Sequence, residues 1–76
     1  MIPNDVERDF FAGVRTESVR FVINDPVEIG RGEHEGCRGS VISVLSVAPE
    51  VEYLVELGGS VAGDVTVRQD DLVSLE

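Results

Sequence analysis

Residues 51–57 read Val-Glu-Tyr-Leu-Val-Glu-Leu, and this alternation constrains the chain more than any other feature. A period of two puts Val51, Tyr53, Val55 and Leu57 on one face of an extended strand and Glu52 and Glu56 on the other. Leu54 is the exception, an aliphatic side chain on the polar face.

The same period recurs elsewhere. In Ser18–Ile23, Val19, Phe21 and Ile23 alternate with mostly polar neighbours, which predicts a half-buried strand. Asn24-Asp25-Pro26 ends it: Pro26 lacks a donor and pushes Asp25 extended, while Asn24 tolerates the left-handed region. A sharp bend is expected before Val27-Glu28-Ile29. Ser40–Val47 is apolar on both sides, as suits a strand that bends and feeds a core from two halves. Ala48-Pro49-Glu50 forms a turn, Val65–Arg68 and Leu72–Leu75 are short strands, and Gln69-Asp70-Asp71 is a tight or 3₁₀ turn between them. Gly58-Gly59-Ser60 and Gly63-Asp64 are turn material, with the pairing of Val61-Ala62 left open.

Five short strands at roughly 8–12-residue spacing, separated by glycine turns, form the pattern of an all-β barrel. Closure is the simplest way for so few strands to remove exposed edges. The expectation is a mainly β, SH3-like five-stranded barrel over residues 18–76, preceded by a helical extension over residues 1–17. At 76 residues the whole is one domain.

The extension carries helix punctuation. Asn4 can cap, Glu7 stands three residues on as a capping-box acid, Asp5 suits the positive end of the dipole, and Gly13 can close with positive φ. Val6 and Phe10 share one face at i,i+4. Two turns do not persist alone in water, so the helix must dock on the barrel, dock on a partner, or fray.

With 42% apolar residues the chain can build a core, and with three Phe and one Tyr that core must rely on Val, Ile and Leu. Fifteen Asp and Glu face six Arg and no Lys, a formal charge of −9. Such a field repels phosphate backbones and removes the non-specific term that supplies much nucleic-acid affinity. A protein partner with a basic surface suits it better. The single cysteine, Cys37, forms no internal disulfide, and no signal peptide or long apolar run is present, so a cytoplasmic chain that avoids membranes is the default.

The spacing Val27-x-Ile29-x-x-Gly32-x-x-x-Gly36-x-x-Gly39-x-Val41 resembles the KOW motif, the strand-loop-strand element of SH3-like barrels in ribosomal proteins and NusG-type transcription factors. Val27, Ile29 and Val41 point inward, while the glycines allow positive φ or close backbone approach. Less specifically the resemblance runs through Tyr53-x-Val55 to Leu72, about residues 21–75. It implies the barrel, and a role beside RNA or the ribosome in the translation or transcription machinery. KOW loops that touch RNA present basic residues around the second and third glycines. Here Glu33, His34 and Glu35 occupy the loop, and Arg38 is its one cation between Gly36 and Gly39.

Reactive combinations fail on inspection. Glu33, His34 and Glu35 are consecutive and diverge, whereas a closed metal site needs about four convergent ligands. Cys37 and His34 lack an orienting third group, so Cys37 reads as a packing residue where the loop re-enters the barrel. Gly30-Arg31-Gly32 precedes no helix that could cradle phosphate, and Asp70 and Asp71 adjoin on a turn and point apart.

The reading is therefore a module that is not an enzyme, needs no cofactor or metal, and is a monomer or weak homodimer. Its contact residues for a protein partner are Glu33, His34 and Glu35 in the loop, Glu52, Leu54 and Glu56 on the outer face, and Phe10 and Phe11 on the helix. The alternative, RNA contact through Arg20, Arg31 and Arg38, requires those arginines to cluster without acidic neighbours. Gly39→Val is expected to destabilise by roughly 1–3 kcal/mol through the cost of positive φ.

Overall fold

A computed structural model describes residues 2–58 and 63–76, and backbone hydrogen bonds organise them into one helix and five strands. These are α1 (Asn4–Phe11), β1 (Pro26–Ile29), β2 (Arg38–Ser46), β3 (Glu52–Leu57), β4 (Gly63–Arg68) and β5 (Leu72–Ser74), with a 3₁₀ turn η1 (Gln69–Asp71) between the last two. The chain is mainly β with a short N-terminal helix. Every strand pair is antiparallel, in the order β4-β3-β2-β1-β5.

Among the described residues no ladder joins β4 to β5, so the sheet stops short of the closed barrel expected from the strand pattern. It coils far round nonetheless. The two edge strands are connected by η1 alone, and three residues at ~2 Å rise span only about 6 Å. Gly30 N–H donates to the Asp71 carbonyl at 2.7 Å and fastens that corner to the end of β1.

Long strand β2 bends as expected, through irregularities between Val41 and Ser43 and between Val44 and Ser46. Each inserts one residue opposite β3 and resets the alternation, which is why Val41 and Val44, three apart, are both buried. On β3 the alternation is uninterrupted: Tyr53, Val55 and Leu57 enter the core. Val27, Ile29, Val67 and Leu72 join them, and Phe10, Val19 and Phe21 cover the cluster from the N-terminal side.

Helix α1 docks on this core. Phe10 is 1% exposed and stacks on Tyr53 at a ring separation of 6.3 Å. Pro3 rather than Asn4 occupies the N-cap, and no side-chain capping bond forms, because the chain is already helical at Asn4. The C-terminus closes as expected: Gly13 takes φ 78°, its N–H donates to Phe10 O, and Val14 N–H reaches back to Asp9 O at 2.8 Å. Those two bonds are the Schellman pattern.

Ser18–Ile23 is not a strand. Val19 and Phe21 are buried as the alternation requires, yet no ladder holds them. Side chains supply the bonds instead. Phe21 N–H donates to the Tyr53 hydroxyl (3.3 Å), Arg20 N–H donates to Gln69 Oε1 (2.8 Å), and Gln69 Nε2 donates to Ser18 O (3.0 Å). Ile23 is partly buried and packs against the core as the alternation requires, and Val22 is buried as well, just before the turn at Asn24 (φ 69°). Asp25, 7% exposed, locks that turn: its carboxylate accepts from Val22 N–H (2.9 Å) and from Arg15 (2.5 Å).

Gly63 and Asp64, read as turn residues, open β4. The segment from Gly59 to Ala62, including Val61-Ala62, lies outside the described residues.

Candidate functional site

The loop between β1 and β2 is built by its glycines. Gly32 and Gly36 take φ of 97° and 88°, and Gly36 N–H donates to Ile29 O (2.8 Å) while Ile29 N–H donates to Cys37 O (2.8 Å). The loop is thereby pinched at its base and presents Glu33 and Glu35 to solvent, with His34 half-buried between them. Cys37 is half-buried and packs against the core where the chain re-enters the sheet.

Gly39 serves differently from the expectation. Its backbone is ordinary β2 strand with no positive φ, and the constraint is space: a Cβ there would collide with the Glu56 carbonyl oxygen and lie 2.9 Å from that carbonyl carbon.

On the outer face, register sets Leu54 between Ser43 and Thr66, Glu56 between Ser40 and Asp64, and Glu52 between Ser46 and Arg68. Leu54 is half-buried with polar neighbours on both strands. Phe10 faces the core and cannot meet a partner, which removes it from the expected contact set. Phe11 remains, 50% exposed, on the helix that covers the inner face and thus across the sheet from Leu54.

All six arginines lie within 4.0 Å of a carboxylate. Arg31 and Arg68 share Asp71 at 2.8 and 3.6 Å, Arg68 also reaches Glu50 at 3.4 Å, and Arg20 meets Asp70 at 3.2 Å. Arg38 pairs with Glu28 on β1 at 3.0 Å. Arg20 and Arg31 therefore approach the same turn but are matched there by acids, and Arg38 stands elsewhere. Seven of the 15 carboxylates make these contacts, and eight have no arginine within 4.0 Å: Asp5, Glu7, Glu17, Glu33, Glu35, Glu52, Glu56 and Asp64.

Two adjoining hollows of about 350 and 480 Å³ lie where the β1–β2 loop, the β2–β3 turn and η1 converge. Glu33, Glu50, Glu52, Asp70 and Asp71 line them against two arginines, Arg31 and Arg68. The acidic balance favours the charged guanidinium of Arg68, whose pKa is raised first by Glu50 and then by Asp71. In the core, burial raises the Tyr53 phenol above its ordinary value, so it stays a neutral hydrogen-bond donor.

Sequence reasoning placed the loop acids and the outer-face glutamates but missed Asp71 and Glu50 as the anions that gather Arg31 and Arg68. No local pattern signals them, because most of these pairings join residues distant in the chain.

Comparison with protein-family models, with curated proteins and with solved structures finds no match to this chain. Among the described residues, no helix is long and apolar enough to cross a membrane.

Proposed function

We propose that the chain is a non-catalytic SH3-like interaction module that binds the basic surface of a protein partner. The observation that carries this reading is the arginine census. With all six arginines matched internally, the uncompensated side-chain charge is negative, and much of it sits on the loop (Glu33, Glu35) and the outer face of β3 (Glu52, Glu56). Glu33 and Glu52 line one hollow, so loop and sheet face act on the same ligand. A cationic side chain entering there meets Glu33 and Glu52, neither of which has an arginine within 4.0 Å, alongside Arg31 and Arg68, which pair with Asp71. Charge steers the encounter, and Leu54 supplies apolar contact on the same face.

The test is affinity capture with crosslinking at low and high salt, using the wild-type chain and a Glu33→Gln/Glu52→Gln/Glu56→Gln variant. A basic protein retained by the wild type at low salt, and lost both at high salt and by the variant, supports the reading. Retention indifferent to salt and variant, or no retained protein, overturns it. The alternative, RNA contact, has less support, since Arg20, Arg31 and Arg38 each face a carboxylate.

A further inference from the structure

Strand β4 is an edge, and its free hydrogen-bonding groups can be identified. Gln69 N–H donates to Val51 O, continuing the β3–β4 register, so this is a hydrogen-bonded pair. Antiparallel ladders alternate bonded and non-bonded pairs. Val67, Val65 and Gly63 therefore turn their backbone groups toward β3, and Asp64, Thr66 and Arg68 turn theirs away from the sheet. All three are exposed. Among the described residues no strand pairs with that edge, and a hollow of about 480 Å³ lies between β4 and the loop carrying Gly32 and His34.

The order of these side chains is self-complementary. Laid antiparallel on its own copy about Thr66, β4 places Asp64 opposite the second copy's Arg68 at both ends and threonine opposite threonine at the centre. We propose that the partner of this edge is a second copy of the chain, joined by a two-fold β4–β4 ladder centred on Thr66. The Thr66–Thr66 pair and the bonds from Arg68 N–H to the second copy's Asp64 carbonyl then satisfy the free groups of Thr66, the Asp64 carbonyl and the Arg68 N–H on both chains, while the Arg68 carbonyl, at the N-cap of η1, accepts within that turn.

Charge selects the register. A slip of two residues in either direction unpairs Asp64 from Arg68, whereas the Thr66-centred register makes two cross-strand ion pairs and a threonine pair, both favourable combinations. It also answers a repulsion within each chain: Asp64 stands directly opposite Glu56 on the neighbouring strand, and an incoming Arg68 offsets it. Arg68 has donors to spare, since its contacts with Glu50 and Asp71 are 3.4 Å or longer and its side chain is half exposed. With −9 on each copy, association is expected to be weak and to need high protein concentration.

Sedimentation velocity across a concentration series tests this, with Asp64→Arg, Thr66→Pro and the swap Asp64→Arg/Arg68→Asp. Proline at position 66 removes an N–H that β3 does not use, so the monomer keeps its ladder. The expected result is a concentration-dependent dimer for the wild type, weakened about tenfold or more by Asp64→Arg, which opposes two arginine pairs. Thr66→Pro weakens it comparably, and the charge swap restores it. Thermal melting of each variant separates lost association from lost folding. A wild type that stays monomeric throughout overturns the proposal, as does a dimer indifferent to Asp64→Arg and Thr66→Pro, or a well-folded swap that stays monomeric.

Discussion

Replacing Tyr53 by Phe removes one oxygen and tests how the N-terminal arm is held. That oxygen accepts from buried Phe21 N–H at 3.3 Å and donates to Gln69 Oε1 at 2.5 Å. The ring contributes separately: it is fully buried, stacks on Phe10 and meets Phe21 edge-on at 5.7 Å, and phenylalanine keeps those contacts. What is lost is the acceptor for a buried amide, a desolvation cost of about 1–3 kcal/mol, with any loss from the Gln69 bond falling within that range. For a domain of this size each kcal/mol moves the melting temperature by roughly 4–8 °C. Urea denaturation followed by circular dichroism measures the effect. Gln69→Ala should cost about 1–2 kcal/mol, since its arm contacts are exposed and water replaces them. The double variant should cost less than the sum by about 0.5–1 kcal/mol, because the two residues share a bond. A Tyr53→Phe chain within about 0.5 kcal/mol of wild type refutes the claim that side chains do the work of a missing ladder.

Other outcomes follow from the same structure. Gly39→Ala is expected to destabilise by about 1–3 kcal/mol, and Gly39→Val by at least as much, because any Cβ meets the Glu56 carbonyl. A Gly39→Ala melting curve matching wild type sinks that account. Asp25→Ala strands Val22 N–H and costs about 1–3 kcal/mol, while Asp25→Asn, keeping an acceptor, recovers most of it. Denaturant midpoints that rank Asn no better than Ala contradict this. Burial holds the proton on the folded Tyr53 phenol above its ordinary value of 10.0, so its contribution is complete below that pH and is lost as pH rises through the raised value. Phenolate absorbance should therefore appear together with loss of structure, and Tyr53→Phe should blunt that alkaline loss.

Strands announced by uninterrupted alternation were legible in the sequence. Val51–Leu57 needs only a period of two to place Tyr53, Val55 and Leu57 inside, and the glycine spacing from Gly32 to Gly39 marks a tight loop correctly. Legibility failed where nonlocal groups decide. Ser18–Ile23 has a strand's alternation, but whether it joins a ladder depends on Tyr53 and Gln69, 32 and 49 residues from their partners Phe21 and Arg20. Gly39 was read for conformational freedom when its requirement is the nearness of β3, a contact invisible in a one-dimensional pattern. Among the candidate contact residues, the outward placement of Glu33, Glu35, Glu52 and Glu56 was legible because acids at the surface need only a turn or an outward phase. Phe10 and Phe11 could not be told apart until the helix docked and buried one of them.

The short link η1 has a kinetic corollary. β2, β3 and β4 form a meander of near neighbours, whereas pairing Glu28 with Val73 joins residues 45 positions apart. Loop-closure entropy and the inverse dependence of folding speed on contact separation put that pairing late. The expected order is meander first, then β5 swinging through η1 onto β1. Substitutions in the β2–β3 hairpin should therefore slow refolding, and those at the β1–β5 seam should chiefly hasten unfolding.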